Sequence, residues 1–298
     1  MFDNICVIGC GLIGSSIVRA IEKKKLTKKI SVFDKSKEVL SYMKNNFTVN
    51  TTNDVSEVIK EADLVIIAAP LSSYKEILLS IKNNLKEGAI LTDTGSAKKE
   101  VNKIIVNLNL KNIHWIASHP IAGTELSGPE AGSADLFNNR WCILSADKQM
   151  QKEYLEKLKK FWEEIGSKVK FMTFEDHDHV LSLTSHLPHA VAYSIVMTAI
   201  NNDDKFRNDV IQYSAGGLRD FTRIAASDPL MWRDIFIDNS ENILKVLDSF
   251  SKNLDEIKKA IKSKNGDKLV NMFASTKKVR KEIIQAGQDT EKPGFGRK

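Results

Sequence analysis

Apolar positions in the first half of the chain fall in short continuous runs, separated by stretches with apolar residues at helical spacing. The runs at 5–8, 30–33, 64–68, 90–92, 113–117, 141–144 and 169–172 read as strands. Between them, 13–24 and 153–165 carry helical patterns. Strands alternating with helices predict an α/β fold built on a doubly wound parallel sheet of the Rossmann type. Pro70 should end its strand abruptly. After about Phe174 the strand-like runs stop, and helical patterns occupy 179–201, 231–260 and 267–288. In the second of these, Ile243, Val246, Leu247, Phe250, Leu254, Ile257 and Ile261 fit one helical face. The expected organisation is a dinucleotide-binding domain at 1–173 and a C-terminal all-α domain at 174–298. The tail at 291–298, with Pro293, Gly294 and Gly296, reads as frayed. Helices with apolar faces of this length invite a partner, and two-fold dimers are the commonest assembly, so a homodimer is expected; a lid closing on the first domain is the alternative.

Composition adds bounds. The 298 residues are 42% hydrophobic and 28% charged, an ordinary globular balance with room for two domains. No apolar run approaches the roughly 18 residues of a membrane span, and Met1–Phe2–Asp3–Asn4 has no basic leader character. Cys6, Cys10 and Cys142 lie in or beside strands, without metal-like spacing and in odd number, which suits a reducing, cytoplasmic setting. The net charge of +6 comes from lysines spread over helices, as at Lys23–Lys24–Lys25 and Lys157, Lys159 and Lys160. No aromatic residues interleave with them as a nucleic-acid stacking surface needs. A mildly positive field suits an anionic substrate.

Gly9–Cys10–Gly11–Leu12–Ile13–Gly14 lies between the first strand and the first helix. In that context it reads as a dinucleotide fingerprint: Gly9 for the turn, Gly11 for approach of the pyrophosphate and Gly14 for helix–strand packing, with Leu12 and Ile13 opening the helix. The helix N-terminus adds free N–H groups and positive dipole. Asp34 follows the second strand at the motif's spacing and should accept from both ribose hydroxyls, favouring NAD over NADP. Lys35 beside it could instead help hold a 2′-phosphate. Asp93–Thr94–Gly95–Ser96 leaves another strand towards the same crevice, and Ser96 also reads as the N-cap of a helix starting near Ala97.

Ser118–His119–Pro120–Ile121–Ala122–Gly123–Thr124–Glu125 follows the apolar run 113–117. His119 is expected on the loop leaving that strand, where such sheets place their chemistry. An imidazole there can take a proton near neutral pH, as oxidation of an alcohol by NAD requires. The pairs His177–Asp178–His179 and His186–x–x–His189 raise a metal site, but no cysteine joins them and Pro188 interrupts the second, so no metal is expected. His189 is better read as a substrate-site residue. Arg219, Asp220, Arg223, Asp228, Trp232, Arg233 and Asp234 make an arginine-rich segment in a lysine-rich chain. A guanidinium fork binds carboxylates bidentately; inter-helix ion pairing is the alternative.

The combination of the His119 loop, Ser185–His186–Leu187–Pro188–His189, Asp220–Phe221–Thr222–Arg223 and Met231–Trp232–Arg233–Asp234 resembles the prephenate/arogenate dehydrogenases of tyrosine biosynthesis along nearly the whole chain. The resemblance implies NAD-dependent oxidation of prephenate, with loss of CO2 and formation of 4-hydroxyphenylpyruvate. It implies that His119 takes the ring-hydroxyl proton, that Ser96 bridges His119 and nicotinamide, and that Arg223 binds a substrate carboxylate. It places His189, Thr124, Glu125, Asp220 and Trp232 along the pocket. Arogenate as substrate, another hydroxyacid dehydrogenase, or an NAD(H)-sensing module are the competing expectations.

Overall fold

A computed structural model describes residues 2–110, 112–201 and 204–286; the frayed tail expected at 291–298 lies outside the described residues. The chain begins with β1 (Asn4–Ile8), α1 (Leu12–Lys24), β2 (Lys29–Phe33), α2 (Lys37–Asn46), β3 (Asn50–Thr52), α3 (Val55–Ile59) and β4 (Leu64–Ile67). It continues with α4 (Tyr74–Ile81), β5 (Ile90–Asp93), α5 (Lys99–Leu108) and β6 (His114–Trp115). These six strands form one parallel sheet in the order β3-β2-β1-β4-β5-β6. The strand order reverses direction between β1 and β4, which opens a crevice outside the carboxyl ends of those strands.

Alternate residues of the inner strands go to opposite faces. Ile5 and Val7 of β1, and Leu64 and Ile66 of β4, enter one core, while Cys6, Ile8, Val65 and Ile67 enter the other. A sheet buried on both faces needs apolar side chains at every position, which is why its strands stand out as unbroken runs. β3 was not among the expected strands. Its sequence, Asn-Thr-Thr, is polar because it pairs only with β2 at the sheet edge.

The run 113–117, expected as one strand of a single sheet, divides between two sheets. β6 pairs with β5, and after Ile116 the chain enters β7 (Ala117–Pro120). β7 runs antiparallel to β8 (Trp141–Ser145), which pairs in parallel with β9 (Lys168–Phe171) across the connecting helix α6 (Lys152–Glu164). The expectation of one sheet is therefore corrected to a six-stranded parallel sheet and a three-stranded mixed sheet. Apolar periodicity marks a strand but carries nothing about its hydrogen-bonding partner.

The helical part comprises α7 (Phe174–Leu181), a π-helical segment at Ser182–His186, α8 (Leu187–Ile200), α9 (Asp204–Gln212), α10 (Gly216–Ala225), α11 (Pro229–Asp238), α12 (Ser240–Lys262) and α13 (Gly266–Gln285). The pattern read as one helix over 231–260 is two helices, divided at Asn239. The run Phe174–Ile200 is long and apolar enough, by length and composition, to cross a membrane, with 22% of its most apolar window buried. This corrects the expectation that no run approaches such a length. One compact unit ends at Ile243 and a second begins at Leu244. Within the second, Asn265 caps α13 through Lys268 N, and Lys268 pairs with Glu256 at 2.7 Å.

Candidate active site

The glycine turn follows β1. Gly9 has φ +90°, and its N–H donates to Phe33 O at 2.8 Å. That φ belongs to the left-handed half of backbone space, where a side chain is strained. A Cβ on Gly14 would collide with the Gly9 carbonyl oxygen, whereas one on Gly11 would meet nothing within 4 Å. Helix α1 has no side-chain cap and no acidic residue in its first turn. Its leading N–H groups and positive dipole end are thus unclaimed by side chains, which fits an incoming pyrophosphate. Asp34 stands beside this turn. Its Oδ2 accepts from Cys10 N at 2.8 Å and its Oδ1 from Ser36 N at 2.9 Å. A carboxylate has about four lone-pair sites, so both oxygens can still accept from ribose hydroxyls. Lys35 is exposed.

At the carboxyl end of β5, Asp93 gathers donors from several elements. Its Oδ2 accepts from Lys98 Nζ at 2.6 Å, Gly95 N at 3.0 Å and the Tyr74 hydroxyl at 3.2 Å, while Oδ1 accepts from Ser118 N at 3.2 Å. The Thr92 and Ser118 hydroxyls meet at 2.6 Å, and the Trp162 indole N–H donates to Ser118 Oγ at 3.1 Å. These bonds pin β7 to β5 and so fix the backbone that carries His119. The Lys98 and Asp93 side chains are 1% and 0% exposed. Burial pulls the Lys98 amine below its ordinary range, and Asp93 opposes that pull. Removing either partner would leave a buried charge uncompensated, which costs about 3–5 kcal/mol.

His119 lies inside β7, opposite Ile143, rather than on the following loop. It is buried, and its Nδ1 lies 2.8 Å from Nε2 of His177, with the rings tilted by 57°. Burial, then the neighbouring His177, Lys98 and His186, push its pKa well below the usual histidine value, so the ring is neutral. His177 Nδ1 in turn meets Asp178 Oδ1 at 2.8 Å. Burial lowers His177, with Asp178 opposing. Burial disfavours the Asp178 carboxylate, but hydrogen bonds from His177 and the Lys99 and Lys98 backbone outweigh it and hold its pKa below the ordinary range. Among the described residues, no group of three or more His, Cys, Asp or Glu side chains is arranged to hold a metal.

Helix α5 starts at Lys99, and the backbone N–H groups of Lys98 and Lys99 donate to Asp178, each at 2.9 Å. Ser96, expected as the cap, is half-buried in the turn before Lys98 and does not cap this helix. An ionised carboxylate from another helix is the stronger acceptor at a positive helix end.

Around His189, the ring stacks on Trp232 with centroids 3.6 Å apart, and Nδ1 donates to Ser185 O at 2.9 Å. Burial lowers the His189 pKa, Ser185 opposes, and the Arg223 charge lowers it further, which puts the guanidinium in its electrostatic neighbourhood. Trp232 is buried, and its indole nitrogen has no hydrogen-bond partner among the described residues. Arg223 is 41% exposed, with Nε 4.0 Å from Asp220. Arg233 instead binds Asp234 at 2.6 Å, and Asp234 accepts from Ser72 N, tying α11 to the turn after β4. Thr124 and Glu125 stand exposed on the loop after β7, where the Thr124 hydroxyl accepts from Leu126 N at 3.3 Å.

Four buried participants had no catalytic reading in the sequence. Lys98 is one of 44 basic residues and carries no distinguishing signal. Asn239 has none either, yet its Nδ2 donates to Asp178 O at 2.8 Å and meets His186 Nδ1 at 3.1 Å. His177 and Asp178 were weighed only as metal ligands; their adjacency was the available signal.

Residues 17–171 match the nucleotide-binding domain of prephenate dehydrogenase, and residues 173–275 match its dimerization domain. The glycine turn lies just upstream of the first match. The chain is 40% identical over 281 residues to the cyclohexadienyl dehydrogenase of Zymomonas mobilis, covering 94% of this chain and 96% of that one. It is 32% identical over 282 residues to the prephenate dehydrogenase of Bacillus subtilis, covering 94% and 76% respectively. Its fold matches the crystal structure of prephenate dehydrogenase from Aquifex aeolicus in complex with hydroxyphenyl propionate and NAD+, with a TM-score of 0.88 and 34% identity over 95% of this chain and 99% of that one. With both of its parts matched in order, the chain belongs to the prephenate dehydrogenase family.

Proposed function

We propose that this chain catalyses the NAD-dependent oxidative decarboxylation of prephenate to 4-hydroxyphenylpyruvate in the cytoplasm. The observation that carries the reading is His119: a buried imidazole, its pKa held low by that burial, on the strand bonded to Asp93 at the end of β5. Gly9, Gly11, Leu12, Ile13, Gly14 and Asp34 would hold the dinucleotide, which supplies a hydride acceptor. Ser96 would contact its nicotinamide. Arg223 would bind the ring carboxylate, with His189, Thr124, Glu125, Asp220 and Trp232 lining or gating the pocket. His119 takes up the ring-hydroxyl proton as the ring carbon is oxidised. The electron pair of the bond to the ring carboxylate enters the ring as CO2 leaves. His119 then returns the proton to the phenolic oxygen, so the proton count is conserved. In this reading residues 1–173 serve the cofactor and 174–298 serve substrate and dimer.

The 40% identity with a cyclohexadienyl dehydrogenase favours a second reading, in which arogenate is also oxidised, giving tyrosine. Parallel measurements of NADH formation with prephenate and with arogenate separate the two. Prephenate turnover is expected, with kcat/KM higher for NAD than for NADP because Asp34 repels a 2′-phosphate. Inactivity with both substrates refutes the proposal; a preference for NADP moves the cofactor determinant to Lys35.

Surface chemistry supports a homodimer. Met197, Phe206, Leu230 and Ile237 are each more than half exposed, at 54%, 55%, 59% and 64%. Exposed apolar side chains on α8, α9 and α11 are available for burial against a partner, and the matched region is a dimerization domain in the family. Sedimentation at micromolar concentration should give twice the 33.4 kDa chain mass; a monomer contradicts the proposal.

A further inference from the structure

The base does not act alone. His119 Nδ1, His177 Nε2, His177 Nδ1 and Asp178 Oδ1 form a continuous buried chain, each contact 2.8 Å long. An ionised carboxylate only accepts, so His177 donates to it through Nδ1. A neutral imidazole has one N–H, which leaves His177 Nε2 as a lone pair. His119 must then donate through Nδ1, and its own Nε2 becomes the lone pair. We propose that His177 and Asp178 are positioning residues: they fix the tautomer and ring orientation of His119 so that Nε2 is presented as the proton acceptor. This rests on the reading of His119 as the base.

The far end of the chain is itself held. The Asp178 carboxylate accepts the first two N–H groups at the start of α5, and its carbonyl oxygen accepts from Asn239. Asp178 therefore cannot rotate away from His177 without uncapping that helix. Its orientation is set by the packing of α7 against α5, not by the flexible reach of a surface side chain. When the substrate proton reaches His119 Nε2, the Nδ1–H bond to His177 is already in place. One proton moves, and no transfer along the relay is needed. The imidazolium so formed faces the Lys98 cation and His186, while Asp178 and Asp93 place negative charge against the adjoining His177. A base oriented by a second group is the general logic of activated catalytic pairs, and the wrong tautomer is costly even when geometry survives.

Two variants and one measurement on the unaltered protein test the proposal. His177→Leu removes the acceptor; His177→Gln restores an oxygen near the former Nε2. The leucine variant should lose at least about tenfold in kcat, with the KM for prephenate and the NAD affinity within about threefold of wild type, and glutamine should recover most of the loss. Nitrogen-15 NMR of histidine-labelled wild-type protein should show His119 and His177 both protonated at Nδ1. A leucine variant with wild-type kcat, or a His119 protonated at Nε2, overturns the relay. If His119→Asn meanwhile abolishes turnover, the base assignment stands without the relay. If His119→Asn turns over normally, the base assignment itself fails. Should His177→Leu not fold, the NMR tautomers of the wild type decide alone.

Discussion

Replacing His119 by asparagine is expected to lower kcat by about 10²–10⁴-fold, the usual cost of losing a general base. Asparagine keeps a hydrogen-bonding side chain but cannot accept a proton at neutral pH. NAD affinity should survive, because the glycine turn and Asp34 follow other strands, β1 and β2. The structure also changes the expected pH profile. A histidine at its reference pKa would lose activity as pH falls through about 6.5. Burial, with His177, Lys98 and His186 nearby, pushes His119 well below that value. In wild type kcat/KM should therefore stay level through pH 6.5 and fall only at more acidic pH.

Stability must be followed in the same titration. His119, His177 and His186 are all lowered in the folded state, His186 to about 4. The unfolded chain binds protons at these sites first, so stability is full above about pH 6.5 and declines below it. Activity measured below pH 6.5 is meaningful only where the circular dichroism signal is intact. A His119→Asn variant that retains more than about a tenth of wild-type kcat moves the base elsewhere, and His189 becomes the first candidate.

Arg223→Ala is expected to raise the KM for prephenate by about tenfold to a hundredfold, with little change in NAD affinity. A charged hydrogen bond to a carboxylate contributes about 1.5–3 kcal/mol. The competing explanation for Arg223 is an ion pair with Asp220. That contact is 4.0 Å long, with both side chains about two-fifths exposed. An exposed pair of this kind is worth about 0–1 kcal/mol. Loss of the guanidinium should thus register in substrate binding far more than in melting temperature. An unchanged KM with a clearly lower Tm would return Arg223 to a structural role. Arg233 provides the contrast: its 2.6 Å contact with Asp234, which also holds Ser72 N, marks it as an anchor for α11.

How far each conclusion was legible depends on the range of the force behind it. Strands β1, β2, β4 and β5 were legible because a sheet covered on both faces demands unbroken apolar runs. The glycine turn was legible because the positive φ of Gly9 and the close approach of Gly14 to the Gly9 carbonyl are demands made within the motif itself. The roles proposed for His119 and Arg223 rest on their polar surroundings along the chain and on the family resemblance those motifs carry. Tertiary structure alone divided 113–117 between two sheets, because neighbouring strands compete for the same backbone groups and no local pattern records the winner. It alone brought His177 to His119 across 58 residues of sequence and buried Lys98 against Asp93. It also gave the cap of α5 to Asp178 in place of Ser96. The amino-acid sequence by itself determined which side chains could do acid–base and anion-binding chemistry. The fold decided which of them lost their water, and a proton's preferred atom is set by that loss and by the partners that replace the water.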